Sequence, residues 1–220
     1  MISGSTPSLL VLGASGGIGQ QLVAQAAARG HRVTAVARRP LSVPPSARLR
    51  LAEVDRERPL DGLIDGHEVV ISALGLRRRH VWNPWSALQS PPDLMGRLAG
   101  PLAEAMRRTG VTRLFAVSAA GVGEGGARLP APVRAMLDAT QIGVSYADLA
   151  VMEGILLGSG LDVCCVRPTV LTDGPATGRA AVVSAIGARA WVRRADVAAW
   201  ILDHLTADLS VLRTPTISAV

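Results

Sequence analysis

Residues 8–30 read SLLVLGASGGIGQQLVAQAAARG, and this stretch decides the fold. Ser8 to Gly13 is a short apolar run that stops at a glycine, which predicts a buried parallel strand. Gly17 to Arg29 is rich in Ala and Leu and stops at Gly30, which predicts a helix with a C-terminal glycine. The turn between them is Gly13-Ala14-Ser15-Gly16-Gly17-Ile18-Gly19, with glycines at i, i+3 and i+6. Gly13 permits a tight turn. Gly16 and Gly17 carry no side chain where a backbone would approach a pyrophosphate, and Gly19 lets the helix pack closely. The helix N-terminus adds amide donors and a favourable dipole for phosphates. A strand, this turn and a helix at the head of the chain predict dinucleotide binding. A purely structural glycine turn is the alternative.

The pattern continues outward. Strands are expected at Arg32–Ala37, Arg48–Val54, Glu68–Leu74, Arg113–Ser118, Asp162–Arg167 and Thr216–Val220. Helical segments are expected at Asp61–Asp65, Leu94–Thr109, Val133–Leu157 with a break near Gly143, and Asp196–Leu205, where Asp196 is a first-turn acid. Alternating strands and helices imply an α/β chain, a single-domain Rossmann fold. Its doubly wound, mostly parallel sheet carries helices on both faces. One domain spans residues 1–220, with substrate-side loops at 76–92, 119–132 and 170–190.

The composition narrows the chemistry. Of 220 residues, 49% are apolar and 3% aromatic, so the core is aliphatic. All 23 basic residues are Arg, which excludes a Schiff-base lysine, a P-loop lysine and a Tyr-Lys pair. Net charge is +6, yet the arginines are scattered among 17 acids, and no nucleic-acid-binding signature is present. Cys164 and Cys165 are adjacent on a strand and point to opposite faces, so they read as reduced core thiols. With no secretory signal and no long apolar window, a cytoplasmic protein without a membrane partner is expected. His31, His67 and His204 fall outside any ligand spacing, so no metal is expected.

The second strand addresses cofactor choice. Readers of NAD place an acid about 20 residues beyond the turn, on the ribose hydroxyls. Here that strand ends Ala37-Arg38-Arg39. Two guanidiniums suit a 2′-phosphate by bidentate pairing, and Ser15 could add a hydroxyl. The expected cofactor is NADP(H). The alternative is that Arg38 and Arg39 are simply a solvated strand end.

Together with VISALG (70–75), LFAVSAAGVG (114–123), YADLAVMEGILLGSGLDVCCVRPTVLTDGPATG (146–178) and RADVAAWILDHL (194–205), these residues resemble the atypical short-chain dehydrogenase/reductases. The chain looks most like their small NAD(P)H-binding members, the NmrA-like proteins and the biliverdin-IXβ and flavin reductases. Its length favours the flavin-reductase-like branch. The resemblance implies adenine contacts at Glu53 and Val54, ribose contacts along Ala73, Leu74 and Gly75, and a nicotinamide flanked by Ser118, Pro168, Thr169 and Val170.

The departures from that family are informative. The family's usual Tyr-x-x-x-Lys would begin at Tyr146, but Ala150 stands where the Lys belongs. The flavin-reductase-like members have a His at the position of Val170, and that too is absent. Tyr146 therefore lacks the cation that would lower its pKa. Catalytic expectations rest on Ser118, as a hydrogen-bond donor, and on Tyr146, which as a helix-start aromatic fits the core equally well. Asp148 and Glu153 read as helix-surface acids. The 76–92 segment, with Arg77, Arg78, Arg79, His80, Trp82 and Trp85, reads either as a lid for a planar or anionic substrate or as a surface loop with Trp anchors.

The leading expectation is an NADPH-dependent reductase of a flavin, quinone or similar small acceptor. A non-catalytic NADP(H) redox sensor is the rival, and an epimerase or isomerase is a third option. A monomer or a homodimer fits, and no exposed apolar helix face stands out.

Overall fold

A computed structural model describes residues 6–52, 60–80, 83–129, 131–187 and 190–220. The opening apolar run forms β1 (Ser8–Leu12), buried along its whole length. Its side chains alternate between two cores, as a strand's must. Leu9 and Val11 pack under α1 (Gly17–Ala28) and α6 (Arg194–Asp203), with Leu22, Trp200 and Ile201. Leu10 and Leu12 pack under α3 (Leu94–Thr109) and α5 (Gln141–Leu157), with Leu102, Met106 and Leu156. Covering both faces is what a near-continuous apolar strand requires. Each fully buried Leu or Ile contributes roughly 1.5–3 kcal/mol, so the aliphatic core needs few aromatics. The one Phe, Phe115, is fully buried in β5 (Arg113–Val117).

The remaining strands are β2 (Arg32–Ala37), β3 (Ala47–Leu51), β4 (Val69–Ser72), β6 (Asp162–Pro168), β7 (Val170–Thr172), β8 (Ala180–Val182), β9 (Trp191–Arg193) and β10 (Thr216–Ala219). The main sheet runs β3-β2-β1-β4-β5-β6-β10-β8. All its pairings are parallel except β10 with β8. β1 pairs with β2 on one side (Leu9 opposite Val33) and with β4 on the other (Leu9 opposite Val69). The chain order thus reverses between β1 and β4. The crevice beyond their carboxyl ends is where a doubly wound sheet binds ligands. This is the expected Rossmann α/β architecture.

Several expectations need correction. The helical segment at 133–157 is two helices, α4 (Ala131–Asp138) and α5, and the break falls at 139–140 rather than at Gly143. Thr140 is extended there, and its hydroxyl accepts the Ile142 amide, so a Thr cap restarts the helix. The loop at 119–132 contains a 3-10 turn over 123–128, and α4 begins inside it. The segment at 170–190 contains β7 and β8, whose three residues each are too short to show periodicity.

Asp148 and Glu153 are buried, not surface acids. Asp148 accepts the amides of Met95 and Gly96, both at 2.8 Å, and so caps α3 from the neighbouring helix. Glu153 makes a two-pronged ion pair with Arg167 of β6. Last, α5 leaves Val144, Val151 and Ile155 exposed at helical spacing, an apolar face the sequence reading did not single out. Among the described residues no helix is long and apolar enough to cross a membrane.

Candidate cofactor site

A cleft of about 1150 Å³ opens over the carboxyl ends of β1, β2, β4 and β5. Its floor is the glycine turn. Gly13 has a positive φ of 80°, and a Cβ there would stand 2.7 Å from the Ala73 carbonyl oxygen at the end of β4. Only glycine therefore lets the two strand ends close together. The Gly16 amide donates to the Gly13 carbonyl at 2.9 Å, and the Ala14 amide donates to Val36 of β2 at 3.0 Å. The turn is thus tied to itself and to β2. A Cβ on Gly19 would overlap the Gly13 carbonyl oxygen, so helix α1 can start this close only with a glycine there. No side chain caps α1 and no acid sits in its first turn, so its free amides suit an anion.

Gly13, Ser15, Gly16, Gly17 and Ile18 line the cleft, while Ala14 is buried behind it and Gly19 serves packing. Ala73, Leu74 and Gly75 line it beside the turn. Arg38 and Arg39 stand at the β2 end. There a side cavity of about 550 Å³ is bordered by Arg38, Arg39, Arg77 and Gln89. Seven arginines line the cleft: Arg38, Arg39, Arg77, Arg78, Arg79, Arg97 and Arg194. Among the described residues no carboxylate lines it. A pocket of this sign attracts a polyanionic ligand.

Ser118 lies at the other end, just past β5. Its amide donates to Val166 at 2.7 Å, and its buried Oγ has no partner among the described residues. A buried hydroxyl without a partner is costly, so one bordering a cleft marks a place where a ligand completes the bonding. The residues thus fit a phosphorylated dinucleotide: amides at the turn, guanidiniums at the β2 end and a waiting hydroxyl at the β5 end.

Some predicted residues lie elsewhere. The Tyr146 hydroxyl donates to the Ala120 carbonyl at 3.1 Å, and burial pushes its pKa up. Its helix neighbours Ser145 and Leu149 line the cleft, and Tyr146 does not. Its helical phase directs the Tyr146 hydroxyl to the Ala120 backbone rather than to the cleft. Pro168, Thr169 and Val170 are not among the lining residues; Leu171 represents that segment. Thr169 instead meets Ser218, and Val170 is exposed. Glu53 and Val54 lie outside the described residues.

The 76–92 segment folds back on itself through a bridge between Arg78 and Leu88, and its Arg77, Arg78 and Arg79 reach the cleft. Trp85 is 66% exposed, so it anchors nothing. Trp82 lies outside the described residues.

One contributor escaped the sequence reading. Arg194 opens α6 and lines the cleft beside Gly17. Asp196, two residues on, is 1% exposed and accepts the amides of Thr177 and Gly178 and the Thr177 hydroxyl. It is a first-turn acid, but its work is to moor the segment after β7. The signal lay in the block RADV, where only the acid had been weighed.

The chain matches the NAD(P)H-binding family over residues 13–208 and belongs to it. Solved structures agree on the architecture. The anaerobilin reductase ChuY of Escherichia coli is 22% identical, with 96% of each chain covered and a TM-score of 0.74. The oxidoreductase YlbE of Lactococcus lactis is 19% identical over 97% of this chain and 91% of that one, with a TM-score of 0.77. A short-chain dehydrogenase/reductase of Veillonella parvula, solved with NADP, is 19% identical over 97% and 94%, with a TM-score of 0.75.

Proposed function

We propose that this protein is an NADPH-dependent reductase of a flavin, a quinone or a similar small acceptor. The observation that carries this reading is one cleft with guanidiniums at one end and the unpartnered Ser118 hydroxyl at the other. Arg38 and Arg39, with Ser15 nearby, take the 2′-phosphate, and the first-turn amides of α1, at Gly17 and Ile18, take the diphosphate. Ala73, Leu74 and Gly75 border the adenosine.

The bound nicotinamide supplies the hydride. Ser118 donates a hydrogen bond that orients the carboxamide or the acceptor. Leu149, Leu171 and Val117 give that end of the cleft an apolar wall that limits water. Flavins and quinones can take their proton from solvent, so a site without Lys or a free Tyr suffices. The surplus of arginine favours an anionic acceptor such as FMN over a neutral one. FMN and a quinone added separately with NADPH test this. Loss of reduced-nicotinamide absorbance with either supports a reductase, and faster loss with FMN supports the anionic preference.

The second reading is an NADP(H) sensor without turnover. The Tyr146–Ala120 hydrogen bond favours it, because that bond removes the family's usual acid from the cleft. Selective NADPH binding with no consumption by any acceptor is its signature.

A further inference from the structure

Arg194 lies across the glycine turn. A Cβ built on Gly17 would stand 2.6 Å from the Arg194 Cδ and 2.9 Å from its Nε, so the arginine stem occupies the space that Gly17 leaves open. Its Nη1 donates to Asp173 Oδ1 at 2.7 Å. The two partners are unequal: the Arg194 side chain is 24% exposed and the Asp173 side chain 83%. The guanidinium is thus fixed against the wall of the cleft while its counter-ion stands in water. Asp173 itself is held in place, because the next residues are moored to β9 and α6: Arg193 Nη1 of β9 donates to Pro175 at 2.8 Å, and Asp196 of α6 takes Thr177 and Gly178.

We propose that Arg194 grips the diphosphate of the bound dinucleotide and that Asp173 holds it ready in the free protein. This rests on the cofactor reading above. An ion pair whose carboxylate stands in water is weak, so Asp173 yields the guanidinium easily. A diphosphate at the uncapped end of α1 offers two negative charges and oxygens matched to a guanidinium fork. The Asp173 pair keeps the long side chain over Gly17 and so reduces the ordering cost of binding. The glycine at position 17 then serves a second purpose: it seats the arginine as well as freeing the backbone.

A diphosphate is common to NADPH and NADH, so the test differs from that of the 2′-phosphate site. Arg194→Met keeps the stem and removes the charge. Its dissociation constants for NADPH and for NADH should both rise about tenfold or more, with their ratio preserved. Binding of 2′-AMP, which has no diphosphate, should stay unchanged. Arg194→Lys should recover part of the loss. Asp173→Asn keeps a side-chain oxygen that accepts from Arg194, so the arginine stays positioned, and removes only the charge that competes with the diphosphate; it should tighten both dinucleotides about two- to fivefold.

If the unaltered protein binds both and Arg194→Met matches it, the Arg194 assignment falls and the cofactor site stands. If Asp173→Asn leaves binding unchanged or weakens it, the assignment falls as well. If the unaltered protein binds no dinucleotide, the cofactor reading fails beneath it.

Discussion

The phenol of Tyr146 donates to the backbone carbonyl of Ala120 at 3.1 Å, which ties α5 to the loop that follows β5. Burial holds its pKa above the ordinary value for tyrosine, and no Lys exists anywhere in the chain to lower it. The hydroxyl therefore acts as a fastener. Tyr146→Phe should leave kcat for acceptor reduction unchanged and cost about 1 kcal/mol of stability, read by urea unfolding. A large fall in kcat with full stability would restore Tyr146 to the chemistry.

Ser118 predicts the opposite pattern. Its Oγ is buried and unpartnered, so Ser118→Ala removes an unsatisfied group and should not lower the melting temperature. The same change should slow acceptor reduction about tenfold if the hydroxyl orients the reacting partners. Stability lost together with activity would indicate a structural hydroxyl instead.

Asp196 is a structural linchpin. Asp196→Ala removes three hydrogen bonds to a buried carboxylate, from the Thr177 and Gly178 amides and the Thr177 hydroxyl, which should cost about 3 kcal/mol. For a chain of this size that is a Tm drop of roughly 6–12 °C. Proteolysis should then open the 173–178 segment first, since Asp196 moors it. A milder loss of about 1–2 kcal/mol is expected for Asp148→Ala, which removes the cap of α3.

The paired cysteines give a pH signature. Burial pushes the Cys164 thiol up to about 12 and Cys165 higher still. Both thiols are fully buried, so neither should react with an aromatic disulfide reagent at neutral pH until the protein unfolds. In the unfolded chain they ionise near 9.0, the ordinary value for a thiol. Between that pH and about 12 the unfolded state thus holds fewer protons than the folded one. Stability should be unaffected by these thiols below pH 9 and should fall as pH climbs through this window.

The fold was legible because its signals are local. The β1 run, the glycine turn and the stop at Gly30 each rest on neighbours in sequence. The candidate cleft is lined by strand-end residues that the sequence reading singled out, at 13, 15–18, 38–39, 73–75 and 118. What escaped depends on side chains from distant elements. Asp148 resembles any helix acid until α3 presents its amides, 52 and 53 residues away in the chain. Glu153 needs Arg167, and Arg194 gains its meaning only when α6 packs beside α1. Motif spacing alone does not fix which way Tyr146 turns on its helix; that depends on how α5 packs against the 119–122 backbone.

The claim beneath all of this is that the cleft holds NADP(H) through Arg38 and Arg39. Calorimetric titration of the unliganded protein with NADPH and with NADH tests it most directly, repeated with Arg38→Ala/Arg39→Ala. NADPH should bind at least about tenfold more tightly than NADH, and the double substitution should erase that preference while leaving NADH nearly unaffected. Equal affinity for the two nucleotides in the unaltered protein, or no binding of either, would contradict it.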